Sequence, residues 1–142
     1  MKIPFIIWND SMSVANPELD GHHRKLIQIV NDLHDQLRNG TVDPILVFDT
    51  VFGEMLDYAD YHFKREEELL RLCNYQDFNR HQAVHGKYID IMQRIKENRG
   101  QHLTDQEFPA KVLKMLKSWW TNHIMKQDKE YTACINPEVE KK

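Results

Sequence analysis

Apolar residues recur along this chain at spacings of three and four, the repeat that lines one face of an α-helix. Four stretches carry it. The first opens at Asn16-Pro17, a capping residue followed by a proline suited to the first helical position. It turns Leu19, Leu26, Ile27, Val30, Leu33 and Leu37 inward before Asn39-Gly40 stops it. The second starts at Asp43-Pro44 and runs through Ile45, Phe48, Val51, Phe52, Met55, Leu56, Ala59, Phe63 and Leu70 to about Leu72. After a reset near Tyr75, the third covers about Phe78 to Asn98, with Val84, Tyr88, Ile89, Met92 and Ile95 inward and Gly100 at its end. Thr104-Asp105-Gln106-Glu107 has the form of a capping box, but Pro109 would delete an amide that a helix starting there needs. The regular part of the fourth helix is therefore placed at about Pro109–Tyr131, burying Val112, Leu113, Leu116, Trp119, Trp120 and Ile124. No Asn-Gly or Asp-Gly turn joins two alternating runs, so no hairpin is predicted. Four rods of about 20 residues, each ~30 Å long, with short links predict an all-α, up-down-up-down four-helix bundle. Residues 1–15 form an extended N-terminal arm whose Trp8 packs over one end or side. The bundle spans about 16–131, a short tail follows, and 1–142 reads as a single domain.

Composition narrows the function. At 41% apolar in 142 residues there is material for one core. A net charge of −3 excludes a basic nucleic-acid footprint. No run of about 18 apolar residues is present, so no membrane span is expected. Pro4 breaks the short apolar run at the N-terminus and no small-residue cleavage site follows, so no signal peptide is expected. Cys73 and Cys134 are too few for a disulfide framework. A reducing, cytoplasmic compartment is the simplest reading, with Cys134 expected as a free thiol rather than as the link of an oxidised dimer. The unusual count is His, at 8.

Placed on the helices, the histidines are not scattered. His23 shares the inward stripe of Leu26, Ile27 and Val30. His62 and Glu66 lie one turn apart on the stripe of Met55 and Ala59, and His81 and His85 lie one turn apart on helix three. His123 follows Leu116, Trp119 and Trp120 at spacings of seven, four and three. Every helix thus turns a ligand-type residue into an apolar interior. A buried polar group left unpaired costs ~1–3 kcal/mol, and the Leu, Ile, Val, Phe and Met around these groups offer no partner. Metal ions would take the lone pairs. The ligand set is too large for one ion, and a His-rich mixture with two carboxylates suits a borderline transition ion such as iron rather than Mg or Ca. No Glu-x-x-His occurs in the chain, which separates it from the carboxylate-rich di-iron bundles.

These motifs resemble those of the hemerythrin family, in its single-domain bacterial form. The matching pieces are Asp20-Gly21-His22-His23-Arg24-Lys25-Leu26, His62-Phe63-Lys64-Arg65-Glu66-Glu67, His81-x-x-x-His85, and Trp119-Trp120-Thr121-Asn122-His123-Ile124 followed by Asp128 and Tyr131, with Trp8 as the N-terminal Trp. The resemblance implies two Fe ions. His81, His85 and His123 hold one, and His23 and His62 hold the other. Glu66, Asp128 and an oxo or hydroxo group bridge them, and the second ion keeps one open position. His22, His34 and His102 are then surface residues. His123 and Asp128 are five apart, about 140° around a regular helix, and Glu130 would face the metal more naturally. Keeping Asp128 as the ligand therefore predicts a π-type widening between 123 and 128.

The implied activity is reversible dioxygen binding, for transport, storage or delivery, with NO or small anions such as azide or chloride as other ligands of the open iron. No enzyme is expected beyond a weak peroxidase-type side activity. Ile27, Met55 and Trp120 fit the dry pocket this requires. Trp119 is expected in the core, and Tyr131, with Tyr58 or Tyr88, as a hydrogen-bonding neighbour of the ligands. Trp120 stands where family members commonly have Leu and is expected to narrow the pocket. Two alternatives stand beside the carrier. One is a di-iron peroxidase, oxidase or NO-reducing enzyme. The other is an O2 or redox sensor acting through a separate partner, since the chain ends soon after helix four. An O2 recipient is implied but not identified.

Overall fold

The computed structural model describes residues 4–38, 44–98 and 108–136. Helix α1 spans Pro17–Arg38, α2 Pro44–Leu72, α3 Phe78–Asn98 and α4 Phe108–Asn122. After α4 the backbone changes pitch. A π-helical segment covers His123–Gln127, a 3-10 turn Asp128–Tyr131, and a last short helix, α5, Thr132–Ile135. The four long helices form the expected bundle, with α1 packed on α2 and α4, and α2 packed on α3.

Local chemistry sets these ends. The Asn16 side chain accepts the Leu19 N–H at 3.0 Å, capping α1 ahead of Pro17. At the end of α2, Asn74 takes a left-handed conformation with φ 55°. The Tyr75 N–H then reaches the Leu70 carbonyl at 2.9 Å and the Asn74 N–H reaches that of Arg71 at 3.1 Å. This is a Schellman stop, and Tyr75 packs back on the cluster that contains Leu70. Asp43, Asn39-Gly40, Gly100, His102, Thr104–Glu107 and the Ile45 side chain lie outside the described residues. The arm is less extended than expected. A 3-10 turn occupies Asp10–Met12, and Asp20 accepts the Val14 N–H at 2.9 Å and the Ser13 hydroxyl at 2.6 Å, folding the arm onto α1. Trp8 packs partly buried against the core, with the Arg24 guanidinium 4.6 Å over its ring.

The main core joins Leu26, Val30, Phe52, Met55, Phe63, Met92, Leu116, Trp120 and their neighbours. A second cluster of Val14, Leu19, Leu70 and Tyr131 closes one end of the bundle. Two findings there correct the sequence reading. Cys73 and Cys134 are not free thiols but form a disulfide, because α5 continues the path of α4 to the end of the bundle where it packs against α2. Helix four is not regular to Tyr131, since the α-helix stops at Asn122. No described helix is long and apolar enough to cross a membrane. The disulfide links residues 61 apart in sequence, and closing a loop of that size stabilises a fold by about 4 kcal/mol in the chain-entropy account. Metal-free protein treated with dithiothreitol should therefore unfold at a lower urea concentration, by a free-energy difference of about 2–4 kcal/mol. Equal midpoints for the oxidised and reduced forms would contradict this.

Candidate metal centre

Each of the four helical rods delivers its ligand-type residues to one level of the bundle. His23 comes from α1, His62 and Glu66 from α2, His81 and His85 from α3, and His123 from the first residue of the π segment that continues α4. All six are buried, as is Asp128. Asp128 arrives through the change of pitch. Its N–H bonds to the His123 carbonyl, five residues back. A π turn gives five residues roughly the rotation that four have in an α-helix, so Asp128 returns to the face of His123. Glu130 instead points outward, where Arg80 meets it at 3.0 Å.

The distances divide this cluster in two. Glu66 Oε1 lies 2.6 Å from His81 Nε2 and 3.0 Å from His85 Nε2. Asp128 Oδ1 lies 2.9 Å from His123 Nε2 and 3.3 Å from His81 Nε2. The other oxygens face the other way. Glu66 Oε2 is 3.2 Å from His62 Nε2, and Asp128 Oδ2 is 3.0 Å from His23 Nε2. Two groups of donor atoms result, each within 4.8 Å: Glu66, His81, His85, His123 and Asp128 in one, and His23, His62, Glu66 and Asp128 in the other. Both carboxylates belong to both groups.

These atoms converge without satisfying one another. Both nitrogens of His23, His62 Nε2 and both oxygens of Asp128 are buried without an aligned hydrogen-bond partner among the described residues. His85 Nε2 and His123 Nε2 face each other at 3.2 Å. Lone pairs aimed at a common point suit a cation at that point. The electrostatics agree. Burial pushes Glu66 and Asp128 up, but the imidazoles around each outweigh it and hold both below the ordinary carboxylate range. Burial pushes His23 and His81 down, and the two carboxylates reverse this, raising each to about 9. For His62 burial wins, and its pKa falls to about 4. The pocket attracts positive charge, here in the form of protons.

A further layer holds the imidazoles, and most of it was not anticipated. The His85 Nδ1–H donates to Glu67 Oε2 at 2.9 Å, and Gln82 donates to the other Glu67 oxygen. The His123 Nδ1–H donates to Gln127. His22, expected on the surface, is buried, and its Nδ1 lies 3.0 Å from His62 Nδ1. One residue of helix is 100° of turn, so His22 faces the α1–α2 interface rather than solvent. His34 is half-buried and stacks on Phe5. Gln127, four residues after His123, is the one neighbour that spacing alone could have flagged. Tyr131 donates to Glu66 Oε2 at 3.0 Å. Tyr58 touches His22 rather than a candidate ligand, and Tyr88 accepts the Trp120 Nε1–H at 2.9 Å. Trp8 lies outside the donor cluster, on Arg24 and the core.

Aromatic rings wall the apolar side. Phe63 stacks on His85 at 3.9 Å, and Trp119, only partly buried, stacks on His123 at 4.5 Å. Trp120 is fully buried, 6.2 Å from the His62 ring and 6.3 Å from that of His123. Ile27 and Met55 are buried in the same core.

A bundle with this cluster is a metal-binding one, and comparison with known proteins agrees. Residues 14–135 match the family described as the hemerythrin HHE cation binding domain, and the chain belongs to the hemerythrin family. It is 29% identical to a bacteriohemerythrin of Methylococcus capsulatus over 117 residues, covering 82% of this chain and 86% of that one. It is 30% identical to a hemerythrin-like protein of Naegleria gruberi over 128 residues, covering 90% and 92%. A crystal structure of a hemerythrin carrying a single leucine-to-alanine substitution matches with a TM-score of 0.78 at 25% identity, covering 94% of this chain and 98% of that one.

The two carboxylate-bearing positions near the π turn give a test. Asp128→Ala should lower the iron bound per chain, whereas Glu130→Ala should leave it at the wild-type level. Iron analysis of the purified variants reads this directly, and the reverse pattern would reject the π-turn geometry.

Proposed function

We propose that this chain binds dioxygen reversibly at a pair of non-haem iron ions, as a carrier, store or delivery protein. The observation that carries the reading is the division of the carboxylate oxygens, with Oε1 of Glu66 and Oδ1 of Asp128 serving three imidazoles and Oε2 and Oδ2 serving two. His81, His85 and His123 would hold one iron and His23 and His62 the other, with Glu66, Asp128 and an oxo or hydroxo group between them. The His23–His62 group offers one imidazole fewer, which would leave a position there for a diatomic gas or a small anion. Bound iron would supply the reversible electron transfer that captures dioxygen.

The chain's own part is to hold, orient and keep dry. Phe63, Trp120, Ile27 and Met55 keep water from the apolar side. The Tyr88 hydroxyl pins the Trp120 indole, and burial raises the Tyr88 pKa so that it stays neutral. Burial and the nearby carboxylates hold the Tyr131 hydroxyl protonated, so it remains a donor to Glu66. His22 reaches His62 from the ring edge opposite Nε2. A general acid for turnover would need to reach the gas itself, and the side chains on the apolar side, Phe63, Trp120, Ile27 and Met55, carry no titratable group. This favours a carrier over a peroxidase, oxidase or NO-reducing enzyme. Residues 1–142 read as one domain. The disulfide pulls against the cytoplasmic expectation, since such bonds persist in oxidising surroundings.

Anaerobically reduced, iron-loaded protein exposed to O2 should develop a visible absorption that disappears on deoxygenation, with one O2 taken up per two irons. Continuous consumption of reductant and O2 would support the enzyme reading instead. Trp120→Leu should change O2 association, release and autoxidation rates on the order of tenfold, a barrier change of about 1.4 kcal/mol. Stopped-flow rates equal to wild type would remove Trp120 from the entry path.

A further inference from the structure

The two halves of the donor cluster are held differently. In the three-imidazole half, His85 is anchored by the Glu67 carboxylate and His123 by the Gln127 amide. In the two-imidazole half, His23 Nδ1 makes no hydrogen bond among the described residues. There the described anchor at an imidazole Nδ1 is His22, 3.0 Å from His62 Nδ1. His22 is itself fixed. It is 8% exposed, packs edge-on against Tyr58 at 5.9 Å, and lies tilted against Tyr61 at 5.3 Å.

The proton positions follow from geometry. His62 Nε2 faces Glu66 Oε2 inside the cluster, so a His62 that gives its Nε2 lone pair to a cation carries its proton on Nδ1. That proton points at His22 Nδ1, which must then be the acceptor, with the His22 proton on Nε2. We propose that His22 is a positioning residue for the second cation: by accepting the His62 Nδ1–H it fixes the tautomer and ring plane that aim His62 Nε2 inward. This rests on the iron-binding reading above. Such outer partners change metal affinity by about 10–100-fold when removed. Because the other half has its own anchors, the effect falls on one ion of the two.

The experiment compares iron-loaded wild type, His22→Phe and His22→Gln during extraction by a chelator, with melting of the metal-free proteins as a control. His22→Phe should lose one iron about 10–100 times faster than wild type while the other leaves at the wild-type rate. His22→Gln, whose side-chain carbonyl can accept the same hydrogen, should behave close to wild type. Melting of the metal-free forms should be alike. Loss of both irons together from His22→Phe, retention of both, or a Gln variant no better than Phe would each overturn the proposal. A wild type that takes up no iron would overturn the iron-binding reading and this inference with it, whereas two tightly held irons in every variant would overturn this inference alone. Zinc-loaded wild type gives a second measurement that requires no variant. Long-range proton–nitrogen correlation should place the His62 proton on Nδ1 and the His22 proton on Nε2, and a His22 protonated on Nδ1 would refute the role.

Discussion

Two carboxylates and five imidazoles, all withdrawn from water, leave a shortage of positive charge, and the bundle is arranged around that shortage. Burying an ionised carboxylate is costly unless opposite charge or hydrogen bonds compensate. Among the described residues, Glu66 and Asp128 have no Lys or Arg against them and are surrounded by imidazoles. His23 and His81 hold protons up to about pH 9 in response. A cation can replace those protons and also engage the lone pairs that find no aligned partner. The same requirement accounts for the change of pitch after α4, because without it the second carboxylate would leave the face on which the imidazoles meet.

Much of this was readable from residue order because helices impose a strict period. Asn16-Pro17 and the break before Phe78 placed helix ends where the structure has them. Ligand-type residues on apolar stripes are expensive, so seven of them at compatible heights point to a common purpose. The π turn followed from a conflict between the family resemblance, which keeps Asp128 as a ligand, and an α-helix that repeats every 3.6 residues and would favour Glu130. What could not be read depends on contacts between elements. His22 looked like a solvent neighbour of His23, because periodicity does not say which adjacent helix covers a flank. Glu67 and Gln82 meet only when α2 and α3 pack. Cys73 and Cys134 are brought together because the helical chain runs on past Tyr131 to the end of the bundle where α2 stops, a meeting that no repeat in the tail announces.

The two sides of the cluster also differ in what anchors them. Around His85 and His123, stacked rings of Phe63 and Trp119 reinforce carboxylate and amide anchors. Around His62 and His23, the surroundings are a neutral imidazole, two tyrosines near His22, and the fully buried Trp120. On the proposed function, the first half would keep its ion while the less anchored half would leave room for an incoming molecule.

The covalent bridge has a topological consequence. It closes a ring that contains α3, α4 and the pitch change, and so six of the seven candidate ligands lie either inside that ring or within eleven residues of it. A single backbone cleavage inside the ring would not separate the molecule into pieces. The two fragments would stay tethered at high effective concentration, so a nicked chain could keep its donor cluster assembled for as long as the sulfur–sulfur bond survives.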